Sequence, residues 1–310
     1  MKLVFLDALT LGDMDLTQFN KLGDVKIYQT TKKEETIDRL KDADIVLTNK
    51  VVIDKEVMDN TNLKMIQILA TGMNNVDLEY AKTKKIVVKN VAGYSTNSVA
   101  QLTFAMVLEI MNKLKYYDEY AKTKYSQSDI FTHIVDFYEL NGKKWGIIGL
   151  GEIGKKVASI AKAFGCEVVY YSTSGKNNNS KYQKVSLEEV LKSDIISIHA
   201  PLNEKTNNLL NKNNLHLIKK DAILINMGRG GIVNEKDLAD IIDKNGFFAG
   251  FDVFTNEPIK EYNPLLEVKN IVLTPHIAWA SVEAREKLVD LAYKNIEDFV
   301  NDGRNNEEVI

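Results

Sequence analysis

A chain of 310 residues, 45% hydrophobic and 27% charged, is long enough to bury the cores of two domains. Its formal net charge of −3 leaves no basic excess to hold nucleic acid or anionic lipid, and no stretch approaches the ~20 apolar residues of a membrane span. The opening residues are apolar only until Asp7, which suits a buried parallel strand and not a secretory signal, while the single cysteine, Cys166, excludes an intrachain disulfide and fits both a reducing cytoplasmic compartment and a small core residue.

Strands and helices alternate along the chain. Apolar strand candidates fall at 3–6, 25–28, 45–47, 65–69 and 86–88, with charged amphipathic stretches such as 32–41 between them, which makes a first small α/β unit. Residues 98–125 contain no glycine or proline and are rich in Ala, Leu, Met and Lys, so they are expected to form one long helix leaving that unit. A second strand series follows at 145–149, 168–171, 195–199, 222–226, 248–253 and 271–273. Six strands with helical crossovers match a doubly wound Rossmann sheet. The last helix, 281–301, has no strand of its own to cover and is expected to return to the first unit, giving a discontinuous domain (1–97 with 281–310) around a second one (98–280) and a ligand cleft between them. The asparagine-rich patch at 175–180 reads as a solvated loop.

The most specific local signal is GLGEIG at 149–154, placed where a strand runs into a helix. Gly149 permits the tight turn, Gly151 lets the backbone approach a pyrophosphate and Gly154 lets the helix pack close to the strand, while the bare N–H groups around Glu152 and Ile153 point at the phosphates. Five further motifs follow the same order of elements: ATGMNNVD at 70–77, SDIISIHAP at 193–201, NMGRG at 226–230, FDVF at 251–254 with Glu257-Pro258, and TPHIAW at 274–279.

On these motifs the chain resembles the NAD-dependent D-2-hydroxyacid dehydrogenase family over essentially its whole length, and within it the glycerate dehydrogenase or hydroxypyruvate reductase branch. The resemblance implies a Rossmann cofactor domain beside a smaller, discontinuous, flavodoxin-like α/β substrate domain, hydride transfer between a nicotinamide and a small D-2-hydroxy or 2-keto acid, a homodimer, and Arg229, Glu257 and His276 as catalytic residues. Elementary chemistry gives each a reason. Removing a hydride from C2 requires a base on the hydroxyl proton, and a histidine has the fitting pKa. A carboxylate such as Glu257 on the other ring nitrogen fixes the tautomer and favours the imidazolium. The planar fork of Arg229 can hold the substrate carboxylate while polarising the C2 oxygen. Of the other three histidines, His133 lies in a connecting segment, His199 ends a strand and His216 lies on a lysine-rich helix; no pair has metal-ligand spacing, so no metal is expected.

The resemblance also assigns the remaining contacts. It makes Lys50, Thr71, Gly72 and Met73 substrate neighbours, with Gly72 and Met73 N–H groups receiving a carboxylate; it places Thr96, Asn97 and Val99 beside the nicotinamide, Asp252 on its carboxamide, and Ala200, Pro201 and Thr206 around the adenosine, with Asn226 and Met227 lining the same edge. Trp279 is expected to narrow the pocket beyond C2, or else to pack between domains. One departure stands out. An NAD enzyme should end its second strand in an acid that binds the ribose 2′-OH, yet here Ser172 and Thr173 occupy that place and Lys176 follows, so NAD is expected with NADP possible. A phosphoglycerate dehydrogenase is the nearest other enzyme, disfavoured because the substrate loops lack an arginine cluster and no regulatory domain follows; a dinucleotide-sensing protein without catalysis is the alternative of another class.

Overall fold

The computed structural model describes residues 1–302 apart from 177 and 180. In chain order the elements are β1 (Lys2–Phe5), β2 (Asp24–Ile27), α1 (Thr36–Leu40), β3 (Ile45–Thr48), α2 (Lys55–Asp59), β4 (Met65–Ile68), α3 (Leu78–Thr83) and β5 (Val87–Lys89). They continue with α4 (Thr96–Asn112), α5 (Leu114–Thr123), β6 (Lys144–Ile148), α6 (Glu152–Ala163), β7 (Glu167–Tyr171), β8 (Gln183–Lys184), α7 (Leu187–Leu191) and β9 (Ile195–Ile198). β10 (Ile223–Asn226), α8 (Glu235–Asn245), β11 (Phe248–Phe251), β12 (Ile271–Leu273) and α9 (Val282–Asp302) complete the chain. Contacts divide it into two units, 1–95 with the segment from Ala280 onward, and 96–279.

The first unit holds a parallel sheet in the order β2-β1-β3-β4-β5, the flavodoxin-like arrangement. β3 and β4 are buried throughout, which is why they read as continuous apolar runs and not as alternating ones. α9 belongs to this unit. Its Asn295 amide donates to Gln67 Oε1 and to the Asn90 carbonyl, each at 3.1 Å, so the fully buried Gln67 of β4 is satisfied from the helix that covers it.

The second unit holds a seven-stranded parallel sheet ordered β12-β11-β10-β9-β6-β7-β8. Counted within the unit this is the Rossmann order 3-2-1-4-5-6 with one strand added, and the order reverses between β6 and β9. Beyond the six expected strands lies β8, two exposed residues paired with Val169 and Tyr170, too short and too polar to show any apolar pattern. One face of the sheet packs under α4 and α6, where Phe104 lies 4.7 Å from the fully buried Trp145 and the indole N–H donates to Ser197 Oγ at 2.9 Å. The other face packs under α7 and α8 around Leu224, Ile242 and Phe247.

The expected single helix over 98–125 is two. Lys113 takes a left-handed φ of 52°, ending α4 and starting α5 in a new direction. α4 buries Val99, Phe104, Val107 and Met111, whereas α5 buries nothing and sends Tyr117 and Tyr120 to meet His133. No glycine or proline marks the break, because packing on two different surfaces decides it. His216 likewise sits in a single 3₁₀ turn, Leu215–Leu217, and not on a longer helix.

Candidate active site

The turn between β6 and α6 is shaped by its glycines. Gly149 stands at φ 93°, and a Cβ on it would lie 3.0 Å from the Ala200 backbone, so the turn and the end of β9 approach as closely as two backbones can. A Cβ on Gly154 would overlap the Gly149 carbonyl, which is why only glycine seats the first turn of α6 against the strand. Nothing lies within 4 Å of the place a Gly151 Cβ would take. That position opens onto a cavity of about 620 Å³ at the reversal of strand order, the place where open α/β sheets bind ligands.

Gly149, Gly151, Ser172, Thr173, Ala200 and Pro201 all line this cavity, so six of the residues expected around a dinucleotide meet there. Glu152 and Ile153 open α6 behind the turn, with Glu152 paired to Lys155 at 2.8 Å. A pyrophosphate fits these residues: the turn leaves room for it at Gly151, and the twelve-residue helix presents its N-terminal N–H groups. Thr206 acts differently from a direct adenosine neighbour. It is fully buried and spends its hydroxyl on the turn, donating to the Pro201 carbonyl at 2.6 Å and accepting from Asn203 N at 2.8 Å. His199, set aside in the sequence as a strand end, also lines the cavity; its ring nitrogens are buried without a partner among the described residues, and burial pushes its pKa down to about 3, leaving it neutral.

The catalytic candidates emerge further along the same edge of the sheet. Arg229 follows β10, Asp252 follows β11 and His276 follows β12, three neighbouring strands in that order. His276 Nδ1 lies 2.6 Å from Glu257 Oε2, and Glu257 Oε1 accepts from the Phe254 N–H at 2.9 Å, so the carboxylate is fixed by one oxygen and orients the imidazole with the other. Their side chains are 22% and 26% exposed, so the pair is shielded from solvent without being closed off from it. A Cβ on Gly230 would overlap the Phe254 carbonyl, which sets the Arg229 loop directly against the loop that carries Glu257. Asn226 pins that loop from below: its amide oxygen accepts from Gly228 N and its amide nitrogen donates to the Arg229 carbonyl, both at 3.1 Å. Met227 beside it is buried in the core.

Asp252 is 1% exposed and committed to the histidine loop. It accepts from Thr274 Oγ1 at 2.6 Å, from Ile277 N at 2.8 Å and from Ala278 N at 2.9 Å. These bonds bracket His276, whose φ of 55° is the left-handed conformation that a side chain rarely takes. Burial raises the Asp252 carboxyl above the ordinary range even though the hydrogen bonds oppose it. Ser98 ties the start of α4 to the same loop by donating to the Ala278 carbonyl at 2.6 Å, which brings Thr96 and Val99 to the neighbourhood of Trp279. An Asp252→Asn variant would face backbone donors with an amide group. The expected result is a fall in kcat with cofactor affinity retained and stability lower by about 1–3 kcal/mol for the unmet buried bond, read by kinetics, fluorescence titration and thermal melting.

Two supports had no role assigned from the sequence. Thr274 is legible there only as the first residue of the TPHIAW motif at 274–279. Glu235, at the start of α8, accepts from Thr255 N, Thr255 Oγ1 and Asn263 Nδ2 and so braces the Glu257 loop from 20 residues away in sequence. In the first unit, Lys50 and the 71–73 loop follow β3 and β4. Asp7 accepts from the N–H groups of Asn49 and Lys50, Thr71 Oγ1 donates to the Val91 carbonyl at 3.0 Å, and the N–H groups of Gly72 and Met73 donate to nothing among the described residues.

The chain resembles known proteins along its length. The family model for the D-isomer specific 2-hydroxyacid dehydrogenase NAD binding domain matches residues 104–278. A hydroxypyruvate reductase of Blautia hydrogenotrophica is 39% identical over 314 residues, covering 97% of each chain. A glycerate dehydrogenase of Methylorubrum extorquens is 35% identical over 308 residues, 96% of each. Among solved structures, an acyclic imino acid reductase in complex with NADPH and D-Arg matches with a TM-score of 0.87 at 33% identity, over 97% of this chain and 98% of that one. The matched segment begins in α4 and ends two residues past His276, so it spans both the glycine turn and the Glu257–His276 pair, and the chain belongs to the D-isomer specific 2-hydroxyacid dehydrogenases, NAD(P)-dependent oxidoreductases.

Proposed function

We propose that the protein interconverts small D-2-hydroxy acids and 2-keto acids, with hydroxypyruvate reduced to glycerate as its main reaction and glyoxylate as a second substrate. The observation that carries this reading is the Glu257–His276 pair, with Nδ1 occupied and Nε2 left for the substrate oxygen. A dinucleotide held at the 149–154 turn would supply the hydride chemistry at C2. His276 Nε2 gives its proton to the C2 oxygen as that carbon is reduced, and Glu257 stays on Nδ1 as the counter-charge. Arg229 holds the substrate carboxylate and draws electron density from the C2 carbonyl. In the oxidative direction the same atoms run backwards, with neutral His276 as the base.

On this reading the second unit is the dinucleotide-binding domain and the first is the substrate domain, its Gly72 and Met73 N–H groups receiving a carboxylate oxygen and Lys50 standing at the substrate mouth. The protein acts as a cytoplasmic homodimer. Supporting the dimer, the segment around Phe131 leaves large apolar side chains in solvent, with Phe131 89% and Ile134 78% exposed, a surface suited to a second copy. Cys166 is buried, and burial pushes its thiol up to about 11, so it is kept as a core residue. No helix among the described residues is long and apolar enough to cross a membrane.

Trp279, half-buried three residues past His276, sets the substrate size by walling the pocket beyond C2. Hydroxypyruvate, glyoxylate, pyruvate, 3-phosphohydroxypyruvate and phenylpyruvate assayed side by side test the proposal. Hydroxypyruvate is expected to give the highest kcat/KM, glyoxylate to follow, and phenylpyruvate to fall at least about tenfold behind, a gap that Trp279→Ala narrows. A wild type that prefers phenylpyruvate or 3-phosphohydroxypyruvate overturns the assigned substrate.

A further inference from the structure

The cavity beyond the glycine turn departs from the chemistry of an NAD site. A ribose 2′-OH is held by a carboxylate at the end of the second strand, which also repels a 2′-phosphate. Here β7 ends at Tyr171 and the chain passes into Ser172, Thr173 and Ser174, all lining the cavity. No acid occurs between Glu167 and Glu188, whereas Lys176, Lys181 and Lys184 do. The wall that faces this loop, following β9, contributes Lys205 to the same cavity.

These two lysines differ from their neighbours. Lys184 spends its ammonium on the loop itself, donating to the Gly175 carbonyl at 3.1 Å, and so steadies the segment that carries Lys176. Lys176 and Lys205 have no ion-pair partner among the described residues, although both border the cavity and both are exposed. Among the described residues the one acid lining it is Glu204, exposed on the β9 wall and adjacent to Lys205 in sequence. Uncommitted cations on two separate loops, with a run of hydroxyls between the glycine turn and one of them, suit a dianion better than they suit a hydroxyl.

Resting on the dinucleotide reading above, we infer that this cavity selects the 2′-phosphorylated dinucleotide, with Lys176 and Lys205 holding the 2′-phosphate from two separate loops and the Thr173 and Ser174 hydroxyls completing its hydrogen bonds. The preference therefore runs to NADPH over NADH, the reverse of the expectation from the family as a whole.

Binding without substrate tests this apart from catalysis. NADPH and NADH are titrated into the protein by nicotinamide fluorescence, with 2′,5′-ADP and 5′-ADP as fragments. NADPH is expected to bind at least about tenfold tighter than NADH, the scale of one charge-assisted bond, and the gap should shrink as salt rises. Lys176→Ala and Lys205→Ala, both at exposed positions that leave the core intact, should each weaken NADPH and 2′,5′-ADP selectively. Equal or tighter NADH binding by wild type overturns the inference, as does an equal loss of both dinucleotides in the lysine variants. A selective loss of NADH binding in Glu204→Gln would make that acid the 2′-OH acceptor and also overturn it. The two readings fail separately: no 2-keto acid turnover with either dinucleotide removes the substrate proposal and leaves the binding ratio standing, whereas turnover with an NADH preference removes the phosphate subsite alone.

Discussion

Replacing His276 with asparagine is expected to lower turnover by roughly 10²- to 10⁴-fold, the usual contribution of a positioned general acid–base, while dinucleotide affinity stays near that of the wild type. Asparagine can still hydrogen-bond Glu257 from a similar place, but it has no proton to give to the C2 oxygen and no ring nitrogen to take one back. The cost therefore falls on the chemical step. It should appear in single-turnover kinetics in both directions, with the dinucleotide dissociation constant and the melting temperature as controls. The left-handed backbone at residue 276 also tolerates asparagine better than most replacements, so the variant should fold. Turnover within a few-fold of wild type would remove His276 from the reaction.

The second large effect is expected at Arg229. Arg229→Lys should lose about 10²- to 10³-fold in kcat/KM for hydroxypyruvate, on the scale of removing a donor from developing charge. One Nη1 already donates to the Gly228 carbonyl at 2.8 Å, which fixes the plane of the guanidinium and leaves its other N–H groups for the substrate. A lysine ammonium keeps the positive charge but cannot anchor to its own loop and also grip a carboxylate in two places. Charge alone is thus separated from geometry, and near-normal kinetics in the lysine variant would show that Arg229 does not hold the substrate. The Arg229 loop packs on the Glu257 loop through Gly230, so an added Gly230→Ala change should impair the same step by displacing both loops together.

The sequence by itself determined the features that depend on local chemistry or on one unbroken run of residues. GLGEIG announced its turn because glycine is the only residue that can take φ 93° at 149 and seat a helix against the strand at 154. The buried strands announced themselves as apolar runs, and the motifs, through the resemblance they carry, marked Arg229, Glu257 and His276 near strand ends, where a donor fork, a carboxylate and a proton carrier suit the proposed chemistry. The tertiary structure decided whatever depends on partners far apart in the chain. β8 is a strand because β7 offers it an edge, not because Gln183 and Lys184 favour one. The helix breaks at Lys113 because α4 and the tyrosines of α5 pack on different surfaces. Thr206 closes its own loop, and Asp252 holds the histidine's backbone through donors 22 to 26 residues away, roles set by which groups folding leaves beside a buried oxygen. Residue identity limits what a side chain can do, but its hydrogen-bond partners are chosen only when the sheet brings the ends of its strands together.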